Sequence, residues 1–165
     1  MRLYRFTFAV SMPQPQAVAR LQALVGPPRS FLEEVKRSLT SQRKASPPFI
    51  GTIEADSFRI RRDIRYRNSF LPLIRGRVTS TPTGAQIHVT MSLHPAVVVF
   101  LLVWVGVLRI PLEAIVRAPS VQDGWAHFVP VGLLLMGLGL VCGGFFPEAL
   151  KARRILEHAF AGATQ

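Results

Sequence analysis

Apolar and polar positions alternate with the period of a strand in five stretches of this chain and repeat with the period of a helix in the others. In the first stretch, Leu3 to Val10, Tyr4, Phe6, Phe8 and Val10 lie on one side and Arg5, Thr7 and Ala9 on the other, which predicts a half-buried strand. Pro13 and Pro15 then open a helix over Gln16 to Val25, where Val18, Leu21, Leu24 and Val25 share a face and Gly26 closes it. Ser30 and Glu33 have capping-box spacing, and Leu32, Val35 and Leu39 continue as a second helical stripe that ends in the polar run Thr40 to Ala45. From Phe49 the period returns to two. A meander of about four strands is predicted: Phe49 to Ala55, Phe58 to Tyr66, Leu73 to Ser80 and Ala85 to Leu93. Turn chemistry separates them at Asp56-Ser57, Asn68-Ser69 and Thr81 to Gly84.

The pattern changes again at Pro95. Fourteen residues to Leu108 carry no charge, and after Arg109 the apolar pattern resumes through Ile110, Leu112, Ile115 and Val116. Phe128 to Pro147 is a run of 20 uncharged residues, close to the roughly 20 that a helix needs to cross a bilayer. A transmembrane helical hairpin over 95–147 is therefore predicted, with an outer connection over about 109–126. A re-entrant first segment is the alternative, which would move the C-terminal tail to the other side of the membrane. Pro147 and Glu148 suit the start of a separate amphipathic helix within 148–165. Its apolar side is Ala149, Ala152, Leu156, Ala159 and Phe160, and Lys151, Arg154 and His158 lie opposite, so it is expected to cover the sheet.

Charge orients this arrangement. Of 20 Lys and Arg against nine Asp and Glu, 15 basic and five acidic residues precede Pro95. The connection between the two apolar segments is neutral and the tail weakly positive, so the positive-inside bias predicts both termini in the cytoplasm. The expected location is the inner, cytoplasmic membrane, as a multi-pass protein. No apolar core of signal-peptide type occupies residues 1–12, which leaves the first apolar segment as an internal insertion signal. A net charge of +11 in a soluble chain would point to nucleic acid. Beside two spans, the anionic cytoplasmic leaflet is the nearer partner, with a protein partner or further copies of the chain as the others. Cys142 stands alone in the second apolar run, which excludes an intrachain disulfide.

Phe58 to Arg67 carries the densest candidate chemistry. On a strand, Arg59, Arg61, Arg65 and Arg67 share one face with Asp63, and Arg75 and Arg77 of the next strand can join it. Guanidinium forks hold phosphate in a bidentate way, so these six arginines are the candidate contact for an anionic lipid or ligand. The plain alternative is a solvated basic face that serves topology. Gly132, Gly139 and Gly143 form a small-residue stripe for helix packing or oligomerisation, with the chain's own first span as the simpler partner. His88, His94, His127 and His158 have no metal-ligand spacing, and neither a phosphate-binding glycine loop nor a nucleophile motif is present. No cofactor, metal or catalytic residue is expected, and a non-enzymatic role follows.

The residues Phe49-Ile50-Gly51, Phe58-Arg59-Ile60, Tyr66-Arg67-Asn68-Ser69-Phe70-Leu71-Pro72 and Met91-Ser92-Leu93-His94-Pro95 resemble a recurrent pattern of small uncharacterised bacterial two-span membrane proteins. That resemblance implies a cytoplasm-facing β segment and a hairpin and supplies no catalytic residues. The expected fold is an α+β integral membrane protein. In it a cytoplasmic module of strand, two helices and antiparallel β-meander over 1–94 is interrupted by the hairpin and closed by the C-terminal helix. The expected role is a membrane-anchored binding module or accessory subunit of a membrane assembly. The alternative is a ligand-responsive effector or channel-like oligomer that senses an anion through its arginine face.

Overall fold

The computed structural model describes residues 2–28, 47–64, 66, 68–117 and 128–161. The second predicted helix, Arg65, Arg67 and the connection between the two apolar segments lie outside these residues. Six strands form one mixed sheet: β1 (Arg2–Val10), β2 (Val25–Gly26), β3 (Phe49–Ile53), β4 (Ser57–Arg62), β5 (Leu73–Thr81) and β6 (Gly84–Ser92). Among the described residues, three helices accompany it: α1 (Gln14–Leu24), α2 (Pro95–Arg117) and α3 (Phe128–Phe160). The spatial order is β1-β6-β5-β4-β3-β2. The four-strand meander is present as β3 to β6, each pair antiparallel and consecutive. β1 extends it by pairing with β6, Phe8 opposite Ile87 and Phe6 opposite Val89.

Within the sheet, β3 ends at Ile53, two residues before the expected Ala55, and two larger differences stand out. Val25 and Gly26 do not close α1 as helix; they form β2, parallel to β3 with Val25 opposite Phe49. Two residues are too few to carry a period that sequence could reveal. β4 stops at Arg62, four residues short: its ladder with β5 ends at Ile60 opposite Ile74, and the Asp63 N–H, 2.9 Å from the Pro48 carbonyl, makes the last bond in register with β3, since Pro48 has no N–H to return.

One face of the sheet is the core. Phe49, Phe58, Ile60, Ile74, Val78, Ile87, Val89 and Met91 point inward and are buried. Ala17 and Leu21 of α1 cover part of this layer, and Phe145, Ala149, Ala152, Leu156 and Phe160 of α3 cover the rest. The C-terminal apolar stripe thus packs on the sheet, as its pattern predicts. Gly76 is required between β4 and β6, since a Cβ there would lie 2.2 Å from the Phe58 ring and 2.4 Å from the His88 carbonyl oxygen. Around β1, Phe8 meets Phe160 at 5.7 Å between ring centroids, and Arg153 reaches the Tyr4 hydroxyl at 2.6 Å.

α2 and α3 are both long and apolar enough to cross a membrane. Their apolar windows are only 6% and 11% buried, which sets them apart from the core helices of a water-soluble fold. α2 does not end at Arg109. Arg109 pairs with Glu113 one turn on, Glu113 also faces Arg117 at 3.7 Å, and these i,i+4 pairs carry the helix past the apolar run. At 1.5 Å per residue its 23 residues extend about 35 Å. α3 also corrects an expectation, because Pro147 lies inside one continuous helix and does not start a new one. Helix geometry is kept across it although proline lacks the N–H that would bond the Gly143 carbonyl.

Candidate functional site

Two sites come together from residues distant in sequence. The first is the joint between the hairpin and the sheet. Just beyond Pro147, Glu148 occupies the apolar stripe of α3, one turn before Ala152, with 3% of its surface exposed. A carboxylate buried there without partners would cost several kcal/mol, on the order of the desolvation penalty of a single ion. Three donors meet it. Arg62 Nη1, at the end of β4, donates to Glu148 Oε2, and the Tyr66 hydroxyl donates to Oε1. Lys151 Nζ, one turn along α3, donates to the same Oε1 at 3.2 Å. Burial pushes the Glu148 carboxyl up, but the hydrogen bonds from Tyr66 and Lys151 and the charge of Arg62 outweigh it, so its pKa lies below the ordinary value. The hydrogen bond to Glu148 is also the main cause that raises the Tyr66 phenol above its ordinary value.

The loop from β4 to β5 completes the joint. Asn68 Nδ2 donates to the Gly144 carbonyl at 2.8 Å, next to the carbonyl that Pro147 leaves without its helical donor. Asn68 Oδ1 accepts from the Phe70 N–H at 2.9 Å, which fixes the loop turn. Gly144 is needed for that approach, because a Cβ would lie 2.9 Å from Phe70 Cβ. By the sequence pattern Tyr66 belongs to a strand and Lys151 to the polar side of its helix, and neither pattern marks this joint. One signal was available: Glu148 is an acid on the apolar side of its helix, directly after 20 uncharged residues.

The second site is the outer face of the sheet. Arg59 and Arg75 stand directly opposite each other on β4 and β5, both exposed. Arg77 is on the same face but is paired with Asp56 at 3.1 Å. Arg61 lines a groove with Arg59 and Arg75 over Ile50 and Leu73. The structure therefore brings Arg59, Arg61, Arg75 and Arg77 of the six predicted arginines to one face. Arg62, which the alternation turns inward, is the arginine that reaches Glu148. Among the described residues, no acidic side chain pairs with Arg59 or Arg75, and no group of three or more metal-ligating side chains gathers.

The predicted glycine stripe is not the contact between the two long helices. A Cβ at Gly132, Gly139 or Gly143 would meet nothing within 4 Å. The contact is at Gly137, where a Cβ would lie 3.3 Å from Trp104 Nε1 of α2. At about 100° per residue, Gly137 and Gly144 share a stripe turned roughly 200° from Gly139, which is why one glycine set faces the chain and the other faces away. Compared with known protein families, with curated proteins and with solved structures, the chain matches none of them.

Proposed function

We propose that this protein is a membrane-anchored binding module without chemistry of its own, an accessory subunit that holds a small sheet domain at the surface of a bilayer. One observation carries this reading: both ends of the hairpin are built into one folded unit. β6 ends at Ser92 and α2 begins at Pro95, while α3 runs on without a break into the core of the sheet. β1 and the last turns of α3 touch through Phe8 and Phe160, so the two ends of the chain belong on one side of any membrane the hairpin crosses. The strongly basic composition before Pro95 favours the cytoplasmic side. The domain is thereby tied to the bilayer with almost no linker, a geometry suited to relaying or fixing position and poorly suited to reaching a distant target.

The full chain extracted in mild detergent is expected to copurify as a complex of defined mass, with a protein partner or with further copies. A monodisperse monomer would refute this reading. A second reading, an effector that responds to an anion, is favoured by the facing Arg59 and Arg75 and by the outward glycine stripe of α3. Substituting Arg61, Arg65 and Arg75 together separates the two. The triple variant should keep its partners under the first reading and lose its response to an anion under the second.

A further inference from the structure

The charges of α2 lie deep in any membrane that the hairpin crosses. Leu101 is the last residue of α2 that packs against the core of the sheet domain. At the helical rise, Arg109 lies about 12 Å and Glu113 about 18 Å beyond it along the axis. Counted instead from Pro95, where α2 begins, the two lie at about 21 Å and about 27 Å. Either origin leaves both within a hydrocarbon layer roughly 30 Å thick. Charged side chains at that depth face a bundle interior or an aqueous cavity, because open lipid does not solvate them. α3 provides no counter-charge there, since Phe128 to Pro147 is uncharged.

The two charges also point away from α3. Trp104 lies against Gly137 of α3, and Leu108 is buried on the same side of α2. At about 100° per residue, Arg109 stands about 140° and Glu113 about 180° around the helix from Trp104. Arg109 is accordingly 75% exposed, and Glu113, with which it pairs, 42%. Val99, Leu102, Gly106 and Val116 extend the same line, so that the six residues are spaced 3-4-3-4-3. That repeat marks the seam by which one helix faces another. Val99 and Leu102 are exposed, and a Cβ at Gly106 would meet nothing within 4 Å, so the seam is open.

We propose that a second copy of the chain packs along this seam, α2 against α2 in parallel. The proposal rests on the reading that the hairpin crosses a membrane, and it names the partner that this reading leaves open. Both copies are tied to their domains by the same short connection from β6, so their first helices run in the same direction. Arg109 and Glu113 are opposite in charge and about 6 Å apart along the axis, within reach of the same two residues on a parallel neighbour. A carboxylate has acceptor sites for more than one guanidinium, so each Glu113 can accept from Arg109 of the second copy as well as from its own. The pairing is self-complementary, as a two-fold contact requires. Gly106, about one turn before Arg109, lets the two helices approach closely at that level. Polar residues within such a seam fix its register and the number of helices.

The test uses the full chain in membranes, on a Cys142→Ser background, with single cysteines introduced into α2 and oxidised. Leu102→Cys should give a disulfide-linked dimer, and Val107→Cys, exposed on another side of the helix, should not. The reverse pattern, or a dimer from neither, would overturn the seam. On the Leu102→Cys chain, Glu113→Arg leaves only cations in the seam and should lower the linked fraction at least about tenfold. Exchange of the pair, Arg109→Glu with Glu113→Arg, should restore linking. Linking that survives Glu113→Arg, or that the exchange does not restore, would overturn the role of the charges. A linked species whose mass is not twice that of the chain would assign the seam to a different protein and overturn the second copy. The membrane reading fails separately, if a reporter fused after Gln165 reads as extracytoplasmic.

Discussion

Changing Glu148 to glutamine keeps the shape of the side chain and removes its charge, leaving Arg62 beside a neutral amide in a nearly closed site. The side chains of Glu148 and Arg62 are 4% and 18% exposed, so neither is well screened by water. Breaking a buried pair from one side costs about 3–5 kcal/mol, and a hydrogen bond to a charged group contributes about 1.5–3 kcal/mol. Two features lower the expectation here. Arg62 Nε has no hydrogen-bond partner, so the pair is not a saturated fork, and Lys151 is 56% exposed and can turn to solvent. A loss of about 2–3 kcal/mol is expected, or roughly 4–12 °C in Tm for a chain of this size. The assay is thermal unfolding of the detergent-solubilised chain, followed by circular dichroism, for the parent, Glu148→Gln, Arg62→Met and the double variant. In the Arg62→Met background the same glutamine change should cost at least about 1 kcal/mol less, since the charge it served is absent. Equal costs in both backgrounds would refute the coupling on which this account of the joint depends. The pH dependence has a definite sign. Because the folded-state pKa of Glu148 is lowered, its contribution is present above the ordinary carboxyl value and is lost as pH falls through the folded value. The parent should therefore lose Tm on acidification below about pH 4.5, and Glu148→Gln should lose less.

Tyr66 should ionise above the ordinary tyrosine range, and its phenolate absorbance should shift back towards that range in Glu148→Gln. Since its pKa is raised, the stability it lends is present below about pH 10 and is lost as pH rises through the folded value. An unmoved titration would show that the hydrogen bond does not form. Gly144→Ala should destabilise by about 1–3 kcal/mol, because the new methyl meets Phe70 at the root of its side chain and the loop has to move. Gly139→Ala, open on every side, should change Tm by less than half as much, and a reversal of that order would contradict the assignment of the two glycine faces.

Much of this fold was legible because it depends on local periods. Alternation marked β1 and the meander, and the uncharged runs marked α2 and α3. The stripe Ala149, Ala152, Leu156 and Phe160 marked the surface that covers the sheet. The order of the sheet was not legible, because pairing β1 with β6 joins residues about 80 positions apart and leaves no mark on either strand alone. The end of β4 was not legible for a physical reason: Asp63 and Ile64 continue the alternation, but the ladder with β5 has already ended at Ile60, and that with β3 ends at Pro48, which has no N–H to donate. The arginine face was legible in part, since alternation places Arg59, Arg61, Arg75 and Arg77 together but does not reveal that Asp56 engages Arg77. The joint was missed because Arg62 and Glu148 are 86 residues apart, and a charge in an apolar stripe acquires its meaning only from the partner it meets.

The unbroken passage of α3 from the hairpin into the sheet also sets the order in which the molecule can be completed. The residues of α3 that cover most of the inner face, Ala149 to Phe160, follow the second apolar segment in the chain and are synthesised after it. Until that segment is in place, Phe8, Ile87 and their neighbours have no lid, and the domain exposes the kind of apolar surface that cells degrade or chaperone. If the hairpin crosses a membrane as proposed, its insertion is in this way a condition for completing the sheet domain outside it. A chain that fails to insert its second helix would be marked as defective by its own uncovered sheet.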